Sequence, residues 1–419
     1  IWYQWIWLFV TPFYWITPVI FRRMRYLTTA DYFEERFGPG LGVLYSFAGM
    51  FFMMIAMAMM LQGTGRTVEA LTDGAVPMWS SVALMTVLFV LYGVAGGIPA
   101  AVVTDFVQGF FIIVMSFLLL PFVLDKIGGF VGLHAHVPEH MFDLTAPRDL
   151  PTPYEPVTLF YIFMVGINAL VGVVAQPQTM VGGGASKTEL DSRIGGCFGL
   201  MLKRLCSLAW AFIGLGCITL YPNLEHPELA LGLASKDLLP VGLVGIMLAS
   251  MLAAVMSSCD SFMVDGSALF VENVYRPIKR DKEDHHYLNV GRVVGVLMVV
   301  GGILITEYFH SVISLWRFLV PLPAFWGIAV WAGILWRRAN GFGAWAGILG
   351  STAIWAITNE YLGLELQEQV VWYLLGGVSA LIIVSKLSPA QPKERLDKFY
   401  AFLHTPVGDE QKLIDAGYE

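Results

Sequence analysis

An all-α polytopic membrane protein is the fold class this sequence predicts, on three observations. Of 419 residues, 57% are hydrophobic and only 14% charged, with a mean hydropathy of +0.66; a soluble chain averages about 25% charged residues. Uncharged runs of membrane-crossing length recur along the whole sequence. The connectors between those runs alternate between basic and nearly neutral. A β-barrel would show short alternating segments, and none are evident. The formal charge of −7 says less than where the charges lie.

Eleven spans follow in order, near 1–20, 41–61, 79–97, 101–124, 157–178, 197–220, 239–263, 290–309, 312–336, 341–360 and 369–385. The first opens at Ile1 inside an aromatic run, with no start Met, charged n-region or cleavage site. It is therefore no signal peptide, and residues upstream of it are expected. Arg22, Arg23, Arg25 and Arg36 follow span one, and Lys187 and Arg193 follow span five. Arg276, Lys279, Arg280 and Lys282 follow span seven; Arg337 and Arg338 follow span nine. The other side holds only Arg66, Lys126, Arg148 and Lys236, which places the first set and the C-terminus in the cytoplasm of a cell membrane. The expected division is a transmembrane domain over 1–389 and a polar, amphipathic tail over 390–419, too short for a catalytic domain. The loop 125–156 is expected to pack as a short external cap. Cys197, Cys206, Cys217 and Cys259 all fall in helices and read as free thiols.

The richest chemistry lies at Ala253-Ala254-Val255-Met256-Ser257-Ser258-Cys259-Asp260, at the end of a run without charge from Leu239. Hydroxyls and a carboxylate in a lipid-spanning helix are costly unless something uses them. A helix puts the Ala254 carbonyl three and four residues before the two serines, so both hydroxyls lean toward it. Three uncharged oxygens then converge on one spot, which suits a small hard cation such as Na+. Asp260 and Asp265 read as residues at and beyond the cytoplasmic end of that span.

Gly96-Gly97-Ile98-Pro99-Ala100 is expected to turn the chain between spans three and four. Asp105, just after it, has two readings: a cap at the positive end of a helix, or part of an ion path. Span five carries Asn168, Gly172 and Gln176-Pro177-Gln178, the makings of a discontinuous helix lining a cavity. A helix-packing face with a bonded amide is the other reading, and the broken helix is favoured. Arg317 reads as the only basic residue well inside a span away from the cytoplasmic edge. Snorkelling or a structural pair is favoured there over a guard role or a substrate-carboxylate contact. The eight histidines form no zinc pattern, and no nucleotide loop, nucleophile elbow or nucleic-acid patch is present.

Taken in order, these residues resemble the sodium:solute symporter family over almost the whole chain. Thr28-x-x-Asp31-x-x-x-x-Arg36 looks like the link after the second core helix, and Gly96-Gly97 with Thr104-Asp105-x-x-Gln108 like the fourth-to-fifth passage. Ala253 to Ser258 resembles the eighth core helix, Asn273-Val274-Tyr275 its exit, and Trp336 to Gly341 with Ala344 the link after the tenth. Ala175-Gln176-Pro177-Gln178 is similar to the Gly-Gln-Pro-His run of the proline permease branch. An Arg usual after that run is replaced here by Gly182-Gly183-Gly184, and the sugar-binding side chains of sugar members find no match.

The resemblance implies a LeuT-type core of two inverted five-helix repeats. It implies Na+ as the coupling ion, with the Ala254 carbonyl and the Ser257 and Ser258 hydroxyls as ligands and Asp105 on the ion route. Asn168, Gln176 and Arg317 are the candidate substrate contacts. On this register span one is core helix two, so the extra N-terminal helix and the first core helix, with its share of the Na+ ligands, are expected upstream of Ile1. The function implied is Na+-coupled import of a small polar solute by alternating access, an amino acid or carboxylate favoured. The partners are the solute, Na+ and the lipid bilayer, with no nucleic acid. Proton coupling is a variant of the same reading. A transporter-like sensor acting through a partner protein is the alternative from another class, and an enzyme is the least supported.

Overall fold

A computed structural model describes residues 2–145, 157–184, 186–224, 226–309 and 312–418, and the side chains at 3, 92, 94–102, 181 and 182 lie outside the described set. Among the described residues all regular structure is helical. In lipid a helix satisfies every backbone donor within its own segment.

The expected first span is not one helix. Trp2–Trp5 is a single α turn, Ile6–Leu8 and Thr11–Trp15 are 3₁₀ turns, and α1 covers Thr17–Met24. Pro12 and Pro18 each sit at the start of a segment, where a missing N–H is tolerated and a preceding helix must end. The Thr11 and Thr17 hydroxyls donate back to the carbonyls of Trp7 (3.0 Å) and Phe13 (3.1 Å), taking up acceptors near those breaks.

Thr28 and Asp31 form a capping box that starts α2, Thr29–Phe37. Gly38, at φ +122°, makes the corner into α3, Pro39–Leu71, a conformation an L side chain rarely adopts. The helix α4 is assigned over Met78–Leu118, and the side chains around the turn expected at 96–100 lie outside the described set. A straight rod does not fit its contacts. A Cβ at Gly93 would lie 3.7 Å from Asp260 Cβ, while Asp105 bonds Ser257 and Ser261. Straight helix would put about 18 Å between residues 93 and 105, whereas their partners span about 6 Å of one helix. The chain therefore bends between them, and both limbs pack on the same neighbour.

Next come α5, Leu120–Ile127, further short helical turns at Gly129–His136 and Glu139–Met141 in the expected cap, then α6, Leu159–Gly172. A 3₁₀ turn at Val173–Ala175 and an extended Gln176 (ψ 127°) separate α6 from α7, Pro177–Gly184. The discontinuous helix expected in span five is present. A second capping box, Thr188 with Asp191, opens α8, Glu189–Leu220, and α9 covers Ala230–Leu238. The serine-bearing helix is α10, Val241–Phe270, which passes into a π-helical turn at Val271–Tyr275. It extends beyond the expected end of span seven, so Asp260 and Asp265 lie within it and not at a solvated terminus.

The remaining elements are α11, Asp284–Tyr308; α12, Val312–Leu319; α13, Leu322–Leu335; α14, Gly341–Ala356; α15, Leu366–Leu387; and α16, Lys393–His404. Pro321 and Pro323 divide expected span nine into α12 and α13. Among the described residues eight helices are long and apolar enough to cross a membrane, and Met78–Leu91 and Leu159–Ala175 are shorter apolar helices. All four cysteines are free thiols.

Three buried clusters organise the bundle. One gathers Phe33, Tyr45, Val173, Trp326, Tyr373 and Phe399 around the broken helix, α13, α15 and the tail. A second holds Met53, Met57, Phe89, Cys259, Met263 and Met298 between α3, α4, α10 and α11. The third, with Val123, Ile213 and Met251, joins α5, α8, α9 and the start of α10. The interface of α14 with α15 is built on Gly343, Gly347 and Ser351, one helical face at four-residue spacing, against Gly377, Leu381 and Ser385. Small residues let helices approach closely where lipid gives no hydrophobic drive.

Candidate functional site

On α10, Ser258 Oγ donates to the Ala254 carbonyl at 3.5 Å, as the helical spacing requires. Ser257 departs from expectation. Its hydroxyl donates across to Asp105 Oδ1, and Ser261, one turn further on, donates to Asp105 Oδ2 at 3.2 Å. Asp105 is thus not capping a helix start; it lies within α4 and accepts from two hydroxyls of α10. Ser257 and Asp105, 152 residues apart in sequence, are brought together. Asp260, whose backbone position was expected at a helix edge, is fully buried at 0% exposure. Its Oδ1 accepts the Ser261 N–H at 2.6 Å. The approach of Gly93 covers it, since any side chain there would collide with Met263. Ser261 was overlooked in the sequence, although its four-residue spacing from Ser257 marks the same helix face.

The broken helix forms the second part. Asn168 is 2% exposed; its Nδ2 donates to the Val320 carbonyl at 3.0 Å and its Oδ1 accepts from Tyr373 at 2.6 Å. It ties α6 to the α12–α13 break and to α15. The carbonyls near the interruption are met by side chains, Tyr45 on Ala175 (2.7 Å) and Trp331 on Leu170 (3.3 Å). Helix breaks are tolerated at membrane depth only where such partners exist. Asn168 and Gln176 line one small cavity of about 70 Å³ with Trp7, Phe52, Trp316 and Val320. Trp316 belongs to this lining; its neighbour Arg317 does not. Two glycines make the arrangement possible. A Cβ on Gly327 would stand 1.9 Å from the Val171 carbonyl oxygen, and one on Gly172 would stand 3.1 Å from Ala324 N.

Arg317 is not alone in depth. Arg204 lies fifteen residues into α8, about 22 Å along the helix, and is 5% exposed. Its Nη1 donates to Gln4 Oε1 at 3.3 Å, and beside it Trp5 Nε1 donates to Ser207 at 2.9 Å.

The face carrying the basic connectors forms a third part, in which separate sequence motifs meet. Thr28 donates to Asn273 Oδ1 at 2.8 Å, and Asn273 Nδ2 donates to Asp31. The exit of the serine helix is thereby bonded to the start of α2. Arg36 is 1% exposed. Its Nε donates to the Gly333 carbonyl (3.1 Å), its Nη2 to Trp336 (3.2 Å) and its Nη1 to Gln391. The rings of Phe37, Phe399 and Tyr400 stand 5.0, 5.5 and 5.9 Å from the guanidinium carbon. Arg395 donates to the carbonyls of Glu34 and Glu35 (2.6 Å to Glu35), which caps the C-terminal end of α2 from the tail. Asn340 caps α14 through Gly343 N (2.9 Å) and reaches Ser388 (2.8 Å).

A helical bundle with a discontinuous helix, beside a helix bearing hydroxyls and a buried carboxylate, is the arrangement of a secondary transporter. The model of the sodium:solute symporter family matches residues 1–350, and the chain belongs to that family. Its activity is Na+-coupled solute symport, not enzymatic catalysis. The sodium/pantothenate symporter of Haemophilus influenzae is 26% identical over 377 residues, covering 87% of this chain and 76% of that protein. The sodium/glucose cotransporter of Vibrio parahaemolyticus is 23% identical, covering 85% and 71%. The osmoregulated proline transporter OpuE of Bacillus subtilis is 26% identical, covering 88% and 76%. A solved Na+-coupled sialic acid symporter, in a substrate-bound outward-open state, superposes with a TM-score of 0.77 at 19% identity, over 93% of this chain and 83% of that one. A proline transporter among these relatives accords with the proline-like Gln176-Pro177 run, and the pantothenate symporter stands at the same identity.

Proposed function

We propose that this symporter imports a small polar organic solute, an amino acid or carboxylate favoured, together with Na+. The observation that carries the reading is the oxygen-rich face of α10: the Ala254 carbonyl with Ser258, and Ser257 and Ser261 on Asp105. Carbonyl, hydroxyl and carboxylate oxygens are the donor types a hard monovalent cation takes. Ala254, Ser257 and Ser258 are assigned to Na+ and Asp105 to its route. Asn168 and Gln176, at the helix break, are assigned to the solute side; Arg317 stays a candidate for a carboxylate-bearing solute without a place in that cavity. The basic connectors and the tail are assigned to the cytoplasmic side of a cell membrane.

Coupling follows from the connections. The serines and Asn273 belong to one continuous helical run, and Asn273 bonds α2 at the basic face. Ligands that stabilise one arrangement of α10 therefore bias whether that face is closed, and each ligand raises the affinity for the other by the same factor. The sensor alternative needs a partner docked on the 276–289 loop or the tail, and the tail is engaged with the protein's own basic face through Gln391 and Arg395.

The test is Ser257→Ala/Ser258→Ala in the intact protein. Losing two hydroxyls worth about 1–3 kcal/mol each should raise the Na+ concentration for half-maximal uptake at least roughly 30-fold. An unchanged Na+ dependence would refute the assignment. A thermal-shift screen of amino acids, sugars and monocarboxylates in Na+ against K+ identifies the solute, which should stabilise more in Na+.

A further inference from the structure

Beside the broken helix, separate from the cavity that Asn168 lines, lies a groove of about 840 Å³ walled by α6, α13 and α15. Ile167, Leu170, Trp331, Trp336 and Val378 are among its lining, and Lys386 is the only charged side chain in it. The groove runs along α15 from Leu374 to Lys386, about 18 Å of helix, close to the roughly 15 Å depth of one leaflet's hydrocarbon. Its charged end is the basic face. There Arg338 lies against the same mouth, its Nη2 donating to the carbonyls of Lys386 (3.3 Å) and Ser388 (2.7 Å). Its Nη1 is buried without a partner. Neither Lys386 nor Arg338 forms an ion pair among the described residues, whereas the adjacent Arg337 pairs with Asp397.

We infer that this groove is a binding site for an anionic phospholipid of the leaflet on the basic face. One acyl chain lies along α15 between Trp331 and Val378, and the phosphate sits between Lys386 and Arg338. The length matches one leaflet, the wall is apolar apart from Lys386, and Lys386 with Arg338 bonded to its carbonyl stands at the mouth, where a headgroup would be. A basic pocket between helices at a membrane surface is the chemistry that selects anionic headgroups over zwitterionic ones. The occupant would press on Ile167, Leu170 and Val171, a flank of the helix that carries Asn168. It therefore supports the interruption from the lipid side.

The experiment uses the intact protein in nanodiscs of phosphatidylcholine, with and without phosphatidylglycerol, and measures retained lipid by mass spectrometry after detergent extraction. Phosphatidylglycerol should be retained in preference to phosphatidylcholine. Lys386→Gln/Arg338→Gln should lower that preference roughly 30-fold, the combined effect of two basic residues near an anionic surface, and Lys386→Arg should keep it. Val378→Trp, which narrows the groove opposite Trp331, should lower retention of both lipids. Equal retention of the two lipids by the unmodified protein overturns the inference. So does a preference that survives the double charge change, and so does cross-linking of two copies through Val378→Cys without loss of lipid. The charge variant lies at the protein's edge and its folding is checked by the unchanged elution and melting of the phosphatidylcholine sample.

Discussion

Arg36 offers the sharpest test of how the tail is held. Its guanidinium is buried among carbonyls and ring faces, with no carboxylate among its partners. Arg36→Met keeps much of the stem and removes every donor. The Gly333 carbonyl still receives Tyr400 at 2.8 Å, and the Trp336 carbonyl still receives Ala339 N at 3.1 Å. Gln391 Oε1 is the acceptor left stranded, at about 1–3 kcal/mol. Three lost ring contacts add about 0.5–1 kcal/mol each. The balance is about 3 kcal/mol, a factor of roughly 150 in the opening of the tail from α2. Native-state hydrogen exchange of the Lys393–His404 helix should therefore accelerate about two orders of magnitude. Arg36→Lys should fall between, since one ammonium cannot reach three acceptors in a fork. Exchange within about threefold of the parent in Arg36→Met would refute the reasoning, and would mean that Phe399 and Leu403 hold the tail by packing alone.

Asn273→Ala removes the bridge between Thr28 and Asp31; the Thr28 side chain is fully buried, so about 1–3 kcal/mol is lost. Exchange at the amides that open α2 should rise by roughly 5- to 150-fold. Gly327→Ala places a methyl where the Val171 carbonyl oxygen already lies. The backbone cannot step aside as a side chain could, so stability should fall by about 1–3 kcal/mol, read as a lower melting temperature in detergent. Glu410 is held down to about 2 by the Gly408 N–H and then Arg25. A depressed carboxyl contributes above its unfolded value near 4.5 and loses that contribution as pH falls toward 2. Proteolytic sensitivity beyond Pro406 should therefore rise between pH 5 and pH 3, and Glu410→Gln should be sensitive already at pH 7 and lose that pH dependence.

Local signals carried the membrane class, the positions of most spans, the break at Gln176 and the serine pair, because hydropathy, proline and helical spacing act within a few residues. The broken helix was legible because Gly172, Gln176 and Pro177 each weaken a helix at the same place. The first span differs for the complementary reason: aromatic hydropathy predicts one long helix there, whereas Pro12 and Pro18 divide the backbone into short turns and α1. Arg204 was passed over because a basic residue fifteen positions into a helix looks like an edge residue when the helix start is misplaced.

What the tertiary structure alone decided is which of these residues meet. The sequence put two serines on one carbonyl. The fold kept Ser258 there and gave Ser257 to Asp105, because the bend in α4 carries that carboxylate to α10. Asp260 looked like a solvated terminus until the close approach of Gly93 covered it. The Thr28–Asp31 motif and Asn273 stand far apart in sequence and form one latch in space, as Arg36 does with Trp336 and Gln391. Each such pairing joins segments more than 100 residues apart, and a pattern with a period of 3.6 residues holds no information about partners that distant. The sequence by itself determined that this is a helical transporter with oxygen donors at depth; only packing could decide which oxygens share a site.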